Sequence, residues 1–445
     1  MMAGAVAVTA ALLVLGLSSA AAATAEGFAT AADDGPPPPL QLVARWPLGH
    51  AIVGRIDHLA FQPAAGPIPG QLVVNALEAN LTLVLNTGSG ALLQTLAGAP
   101  PLQNPQGAGF APPPLSRLAV ADTLDGKVHL FDTSQLGDYR EVGSVSLGVD
   151  ADNVRWDAQS AHLLVGYGDK SRRGSGSALL LPPSGVAEID PRTGAIVAVT
   201  TLPVHAESFQ LSGLSAGAGS AGRRLLYVNT PDANASIQVV DRDQQRVIAT
   251  WNVIRPTGFR KTHIQGNYPM ALLQSADGSE EFMLVGCREP PTLALLSCRN
   301  GSTLSVLAAV GETDDVWWDT SAQRVYMTGQ MGRLDVFEVD LATATLSRLA
   351  SLPTRKGART SLWDALSRRL FVAVPKEGPL DAVAAIWVYA AVSADGGRVK
   401  TDDDVSAEPP AVVIFTFADF MSLLLRCCRL RAQVRYPYTI HSSTY

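Results

Sequence analysis

A repeated pattern of polar openings followed by short apolar runs constrains this chain more than any other feature of its sequence. Seven times, one or two polar residues open an apolar segment of four or five residues, and the second residues of these openings are 45 to 61 positions apart. The segments are DHLAFQ from Asp57, PQGAGF from Pro105, DNVRWD from Asp152, ESFQL from Glu207, YPMAL from Tyr268, DDVWWD from Asp314 and RTSLWD from Arg359. A period of this length is typical of a propeller blade. The sequence therefore predicts seven repeating units.

Further β-rich runs follow each opening and complete the unit. The second runs, such as QLVVNAL from Gln71, are rich in Val, Leu and Tyr and contain almost no Pro, as paired strands require. The third runs, such as KVHLFD from Lys127, mostly end in Asn, Asp or Ser before a turn. With a fourth strand before the next opening, each unit predicts a four-stranded blade. The predicted fold class is all-β, a seven-bladed β-propeller.

The seventh unit ends at its third run, near Ala390, without a fourth strand of its own. The segment QLVARWPL, residues 41–48, precedes the first opening and has the composition of a strand. We expect this segment to be the N-terminal outer strand of the last blade, because that arrangement closes the ring and removes an exposed sheet edge.

The termini differ in composition from the repeats. Residues 1–23 contain an apolar run followed by an Ala-rich stretch, which predicts a signal peptide, with a transit peptide or short anchor as the alternative because the first residues lack Lys and Arg. Residues 24–40 form a Pro-rich linker, 41–392 the propeller, and 393–445 a C-terminal extension that we expect to be poorly ordered. Three glycosylation sequons fit a secreted or extracytoplasmic protein, at Asn80, Asn234 and Asn300.

The charge of the chain limits its partners. The net charge is −6, and the last 26 residues hold four Arg and no acid, so the remainder carries −10. An acidic body without a basic stripe argues against nucleic acid. The apolar run from Val412 to Leu425 is shorter than the roughly 20 residues of a membrane span, so we expect no membrane contact through the tail, with a lipid-modified or tail-anchored end as the alternative. The partners that we expect are a protein, a glycan or a small-molecule ligand, bound by a monomer.

The residues that open the innermost strands predict a binding site. Innermost strands surround the propeller axis, so their first residues gather around one end of the channel. The predicted ligand-binding residues are His58, Gln106, Asp152, Asn153, Glu207, Asp315 and Arg359. Among them Glu207, His58 and Asp315 are the candidate metal ligands, since carboxylates and an imidazole suit a divalent cation. The competing interpretation is that these groups only line a wet channel and pair with one another.

Three further features have a structural interpretation. One interpretation of His205, two residues before Glu207, is that it joins the predicted binding site; the favoured interpretation is an isolated surface histidine. The pair Trp317-Trp318 resembles a ligand platform, but repeated large side chains in this register are predicted to fill the gaps between blades. Cys287 and Cys298 flank a hairpin that turns near Pro290, which places Cys298 opposite a residue near Phe282 and favours two free thiols.

The irregular segments around the openings carry a family resemblance. Together GRIDHLA from Gly54, PQG from Pro105, DADNVRWD from Asp150, HAESFQL from His205, NYPMAL from Asn267, VGCREP from Val285, DDVWWD from Asp314 and GARTSL from Gly357 resemble the YVTN-repeat family of seven-bladed propellers. That family is similar in fold to the amine dehydrogenase heavy chain. The resemblance spans residues 41–390 and implies an extracytoplasmic binding or assembly protein more readily than an enzyme. The chain departs from the family in its Gly/Ser-rich insertions, in Cys298 where Asp is usual, and in its tail.

The sequence contains no haem-attachment, phosphate-loop or zinc-protease motif. Cys-x-x-Cys-His, Walker-type and HExxH patterns are missing, and no catalytic residue is predicted. The favoured hypothesis is a binding scaffold that uses the channel mouth and inserted loops at residues 170–184, 213–222 and 255–266. The alternative is a metal-dependent hydrolase or lactonase with a cation at the mouth, which makes a divalent cation the candidate cofactor.

Overall fold

Seven four-stranded antiparallel sheets are arranged as the blades of a propeller in the computed structural model of the chain. The structure describes residues 37–66, 68–98, 101–148, 150–168, 181–213, 224–231, 235–253, 264–376 and 383–392. The all-β, seven-bladed fold predicted from the repeat is confirmed.

Each of the first four blades is one meander of consecutive strands. Blade 1 contains β2 (Leu59–Gln62), β3 (Gln71–Ala76), β4 (Leu81–Asn86) and β5 (Leu92–Leu96), with a 3₁₀-helix at Leu77–Ala79. Blade 2 contains β6 (Pro105–Ala111), β7 (Arg117–Asp122), β8 (Lys127–Asp132) and β9 (Arg140–Ser146). Blade 3 contains β10 (Ala151–Asp157), β11 (His162–Gly168), β12 (Ser184–Ile189) and β13 (Ile196–Thr201). Blade 4 contains β14 (Ser208–Leu211), β15 (Leu225–Thr230), β16 (Ser236–Asp241) and β17 (Arg246–Asn252).

The remaining three blades follow the same order until the ring closes. Blade 5 contains β18 (Gln265–Gln274), β19 (Glu281–Glu289), β20 (Pro291–Ser297) and β21 (Thr303–Ala308). Blade 6 contains β22 (Asp315–Asp319), β23 (Arg324–Gly329), β24 (Arg333–Asp340) and β25 (Thr345–Pro353). Blade 7 contains β26 (Ser361–Asp364), β27 (Arg369–Val374), β28 (Ala385–Ala391) and, as its outer strand, β1 (Leu40–Pro47).

The outer strand of blade 7 comes from the opposite end of the propeller sequence. In the antiparallel pair of β1 and β28, Gln41 lies opposite Ala390 and Trp46 opposite Ile386. The Trp46 ring packs 5.5 Å from the ring of Phe371. The innermost strands of blades 1 and 7, β2 and β26, are also in contact. The first and last units are therefore joined at both the axis and the rim.

The hydrophobic core lies between adjacent blades and explains the composition of the middle strands. All six residues of β3 are buried, whereas β5 carries a mixture of exposed and buried side chains. Middle strands are covered on both faces by neighbouring blades, so they consist of continuous apolar runs rather than alternating ones. The second and third runs of each unit were recognisable in the sequence because they are continuously apolar, unlike the outer strands.

Large aromatic side chains pack between the blades, as their equivalent registers predicted. Trp363 is buried, while Trp156 and Trp318 are partly buried against the apolar clusters of their blade interfaces. Phe61 occupies the corresponding place in blade 1. The packing interpretation is confirmed, although Trp317 and Trp318 also line the axial cavity.

The register of the β19–β20 hairpin separates the two described cysteines. Cys287 pairs with Thr292, and the Cys298 amide donates to the Glu281 carbonyl at 3.0 Å, next to Phe282. Both thiols are free, and burial raises the pKa of Cys287 to about 12. This agrees with the predicted hairpin register.

Several segments with sequence-based predictions lie outside the described residues. They are the predicted signal peptide 1–23, most of the linker 24–40, the extension 393–445, the sequon at Asn234 and parts of the insertions at residues 170–184, 213–222 and 255–266. Within the ranges that the structure describes, no helix has the length and apolar character needed to cross a membrane.

Candidate functional site at the channel mouth

The first residues of the innermost strands meet at one end of the propeller axis, here called the mouth. His58 lies just before β2, Asp152 and Asn153 lie in β10, Glu207 directly precedes β14, and Asp315 begins β22. An axial cavity of about 290 Å³ adjoins them. Its lining includes His58, Asn153, Arg155, Asp314, Asp315 and Trp317. The mouth therefore joins residues from blades 1, 3, 4 and 6 over one cavity.

His58 is at the centre of the acidic side of the mouth. Its Nδ1 is 3.5 Å from Asp315 Oδ1, and its Nε2 is 3.8 Å from Asp57 Oδ1 and 3.9 Å from Asp152 Oδ1. Burial disfavours the imidazolium, but the hydrogen bond to Asp315 and the nearby carboxylates outweigh it and raise the pKa of His58 to about 10. At neutral pH His58 is therefore a cation that donates hydrogen bonds.

Asn153 links blade 3 to blade 4 beside His58. Its Nδ2 donates to the Glu207 carbonyl at 2.7 Å and lies 3.3 Å from His58 Nε2. Since Asn153 is almost completely buried, this side chain fixes the separation of the inner strands of blades 3 and 4 at the mouth. Asn153 thus has a positioning role in addition to its place at the mouth.

Gln106 is one of the predicted ligand-binding residues, but its side chain is directed toward its own blade. Its Oε1 accepts a hydrogen bond from Thr123 Oγ1, and its carbonyl accepts one from Asn75 Nδ2 at 2.6 Å. The following residue, Gly107, runs so close to blade 3 that a Cβ there would lie 2.1 Å from the Asp152 carbonyl oxygen. Only glycine permits this approach, which gives a physical reason for the PQG segment.

A cluster of arginines surrounds Asp314, next to the acidic group around His58. Arg288 donates to Asp314 Oδ1, Arg359 Nε is 3.5 Å from Asp314 Oδ2, and Arg55 Nη2 is 3.7 Å from that same oxygen. Arg55 also pairs with Asp57 at 2.9 Å. Although burial disfavours its charge, these carboxylates raise the pKa of Arg55 above its usual range.

A second opening lies beside this cluster. The Arg288 guanidinium stacks over the Tyr268 ring at 3.4 Å from its centroid. Both residues, with Gln265 and Glu312, line a cavity of about 540 Å³. The mouth therefore continues sideways over blade 5.

Asp152, His205 and Glu207 form a compact group with the donor types of a metal centre. Their ligand atoms all lie within 4.8 Å of one another. The Gly168 carbonyl lies 3.0 Å from His205 Nδ1, and since a carbonyl only accepts, Nδ1 carries the proton. Nε2 then faces Asp152 Oδ2 at 3.4 Å and Glu207 Oε2 at 3.5 Å. Two ligands of one tetrahedral ion would be separated by about 3.4 Å, so the spacing fits a shared cation.

The structure places the seven predicted ligand-binding residues in three groups. Asp152, Asn153 and Asp315 each lie within 4 Å of His58. Glu207 joins them through Asp152 and His205, whereas Arg359 belongs to the Asp314 cluster and Gln106 contacts Thr123. The three predicted metal ligands therefore do not form one group. His58 contacts Asp315, whereas Glu207 contacts His205.

Sequence reasoning missed several mouth residues. The surface interpretation of His205 was wrong, because its side chain is 1% exposed and lies between two blades. Arg55, Asp57 and Arg288 were also missed as site residues. Asp57 is the first residue of the first opening segment, and Arg55 lies two residues before it. Arg288 lies where the antiparallel β19 returns to the mouth, so the end of the second strand was the available signal for it.

Comparison with known proteins supports the fold. No protein-family model matches the sequence, and no curated protein matches it. Three similar solved structures are "Structure of U3-55K" (11% identity, TM-score 0.56, 80% of this chain and 100% of that one), "Crystal structure of RRP9 WD40 repeats" (10%, 0.57, 80% and 99%), and a chain of "Crystal Structure of Mitotic Checkpoint Complex" (12%, 0.52, 84% and 98%). At these identities the likeness shows a shared propeller fold.

Proposed function

We propose that the protein is a ligand-binding propeller scaffold and that its ligand binds at the mouth. The observation that carries this proposal is the convergence of His58, Asp152, Glu207 and Asp315 from four blades, where His58 and Asp315 also line a cavity of about 290 Å³. A concave site with a few convergent polar groups is the usual form of a small-molecule site. The carboxylates and the His58 imidazolium suit a small polar molecule with both hydroxyl or amine donors and acceptor oxygens, such as a sugar acid.

A thermal-shift titration tests this proposal. The probes are neutral monosaccharides, sugar acids and amino acids, and a binding probe is expected to raise the melting temperature of the wild-type protein. Glu207→Gln is expected to remove the shift. Glu280→Gln, which neutralises an exposed carboxylate in the β18–β19 turn, is the matched control and is expected to keep it. If Glu207→Gln keeps the shift while shortening of the loop at residues 170–184 removes it, the ligand belongs to the loops.

Protein docking is the second binding mode of the proposed scaffold. One of the similar propellers was solved as part of a mitotic checkpoint complex, which is a protein assembly. The mouth face here combines an open side cavity with charged groups such as Arg288 and Glu312, and these suit a protein surface with complementary charge. In the titration above, binding of no small probe by the wild-type protein would favour this mode.

Membership of the YVTN-repeat family and secretion are part of the proposal. Two of the segments that carry the resemblance also shape the mouth, since PQG contains Gly107, which allows the close approach to blade 3, and VGCREP supplies Arg288. The described sequon residues Asn80 and Asn300 are both exposed, which suits glycosylation in the secretory pathway. Recovery of the protein from the culture medium tests secretion, and mass spectrometry before and after deglycosylation tests modification at Asn80 and Asn300.

A cation-dependent hydrolase is the second candidate function, and the Asp152–His205–Glu207 group favours it. A cation there would be held by two carboxylates and an imidazole, with a remaining position for water that could be activated toward a lactone or ester. Metal analysis of the purified protein, followed by lactone and ester hydrolysis with and without chelator, tests this. Metal bound in proportion to protein and lost in His205→Gln, together with chelator-sensitive hydrolysis, would support it. Chelator-insensitive or undetectable hydrolysis would leave the scaffold function alone.

A further inference from the structure

We propose that blade 2 contains a separate transition-metal site formed by Asp122, Asp125 and His129. The three side chains belong to one hairpin: Asp122 ends β7, Asp125 lies in the turn, and His129 lies in β8. Their candidate ligand atoms all lie within 4.8 Å of one another. None of these residues contributes to the mouth group described above.

The orientation of His129 is the observation that points to a ligand. Its side chain is fully buried, and its Nδ1 is 2.8 Å from Glu141 Oε1. Its Nε2 has no hydrogen-bond partner within the described part of the chain and faces Asp125 Oδ2 at 3.5 Å. A carboxylate behind one ring nitrogen, with the other nitrogen directed at acidic oxygens, is the arrangement that orients metal-binding histidines.

The distances distinguish a shared metal from a simple ion pair. If His129 donated a charge-assisted hydrogen bond to Asp125, the nitrogen and oxygen would be about 2.7–2.9 Å apart. The observed 3.5 Å is close to the roughly 3.4 Å that separates two ligands of one tetrahedral ion. The spacing therefore suits an ion between the two side chains better than direct contact.

The two aspartates are held in position by backbone donors. Asp122 Oδ1 accepts from the Leu124 amide at 3.2 Å, and Asp122 Oδ2 accepts from the Gln103 amide. Asp125 Oδ1 accepts from the Lys127 amide at 2.9 Å, and Asp125 Oδ2 from Lys127 Nζ at 2.8 Å. Each carboxylate has about four acceptor positions, so these bonds leave capacity for an ion.

The ligand set selects the class of metal. One imidazole and two carboxylates suit Zn²⁺ or a similar divalent transition metal, whereas Ca²⁺ and Mg²⁺ prefer oxygen ligands alone. Asp122 and His129 are fully buried, so the ion would be enclosed by the hairpin. Next to this turn, Thr123 Oγ1 donates to Gln106, which connects the hairpin to the mouth. We infer that the metal rigidifies this hairpin and so positions Gln106.

Titration of the metal-free protein with Co²⁺ tests the site, because tetrahedral Co²⁺ has a distinctive visible absorption. The His205→Gln background removes the mouth histidine, and in it one equivalent of tetrahedral Co²⁺ is expected to remain. Adding His129→Gln is expected to abolish this absorption. Glu141→Gln should weaken Co²⁺ binding by about 10–100-fold, since it alters only the group that orients the ring.

Two further variants keep the result interpretable. Asp125→Asn changes a turn residue and is expected to abolish tetrahedral binding while circular dichroism stays unchanged, which covers the case in which His129→Gln fails to fold. Lys127→Met removes a neighbouring positive charge but no ligand, so its Co²⁺ affinity should equal or exceed that of the parent. The proposal is overturned if His205→Gln binds no tetrahedral Co²⁺, or if Asp125→Asn with the native fold binds it undiminished.

Discussion

Single residues join neighbouring blades in this propeller, and Arg242 is the clearest case. Its guanidinium lies between blades 3 and 4, with Nη1 2.8 Å from Asp157 Oδ2 and Nε 3.0 Å from Glu188 Oε1. The Arg242 side chain is only 3% exposed. Burial alone would raise the pKa of Asp157, but hydrogen bonds from Ser160 and Arg242 outweigh it and hold that pKa below its usual range.

Arg242→Met is therefore expected to lower the free energy of unfolding by about 3–5 kcal/mol at pH 7, because it leaves the buried Asp157 carboxylate and the partly buried Glu188 carboxylate without their shared cation. The depressed pKa of Asp157 stabilises the wild-type protein above its unfolded value near 4, and this contribution is lost as pH falls through the folded pKa. The difference between wild type and variant should thus shrink below about pH 4. Urea unfolding at pH 7 and pH 3.5 measures it.

The exposed pair of Arg224 and Asp243 provides the matched control on the same blade. Arg224→Met should cost at most about 1 kcal/mol, because solvent screens exposed ion pairs. Equal losses in the two variants would contradict the role assigned to Arg242.

Residues such as Arg242 and His205 mark the limit of what the sequence could predict. The openings at Asp152 and Asp315 were recognisable because their position relative to the strand repeats in every unit. Arg242 and His205 act on a neighbouring blade, and their contacts depend on how far one sheet is rotated against the next. Strand periodicity contains no information about that rotation.

At the scale of the element, the inner strands determine how closely the blades approach at the mouth. Strand β6 passes β10 at Gly107, where a Cβ would lie 2.1 Å from the Asp152 carbonyl oxygen and 3.0 Å from Asn153 Cα. A contact with backbone atoms cannot be relieved by a rotamer change. The two strands would have to move apart, and Asp152 and Asn153 would move with them.

Gly107→Ala is accordingly expected to lower the free energy of unfolding by about 1–3 kcal/mol, the usual cost of overpacking. Gly143 is the control, since it lies in the outer strand β9 and a Cβ there meets nothing within 4 Å. Gly143→Ala should be neutral or stabilise by up to about 1 kcal/mol. Chemical denaturation of both variants provides the measurement, and a Gly107→Ala protein as stable as Gly143→Ala would show that the strands separate without cost.

For the whole molecule, the decisive feature is that one blade is built from both ends of the propeller sequence. Strand β1 contributes Leu40 and Trp46 to the blade 7 interfaces, and both side chains are buried. The repeat predicted this arrangement because the seventh unit lacked a fourth strand of its own. Without β1, strand β28 would be left as an unpaired edge, and blade 7 would lose the side chains that its outer strand contributes to the core.

Removal of β1 should therefore destabilise the entire ring rather than one local segment. A protein that begins at residue 49 is expected to lose at least about 3–5 kcal/mol of unfolding free energy, the usual cost of truncating one buried Trp, and to self-associate through the exposed edge of β28. A protein that begins at residue 38 keeps β1 and should match the full-length chain. Urea unfolding and size-exclusion chromatography of the two truncated proteins compare these outcomes. Equal midpoints and equal elution volumes would show that the ring holds together without its N-terminal strand.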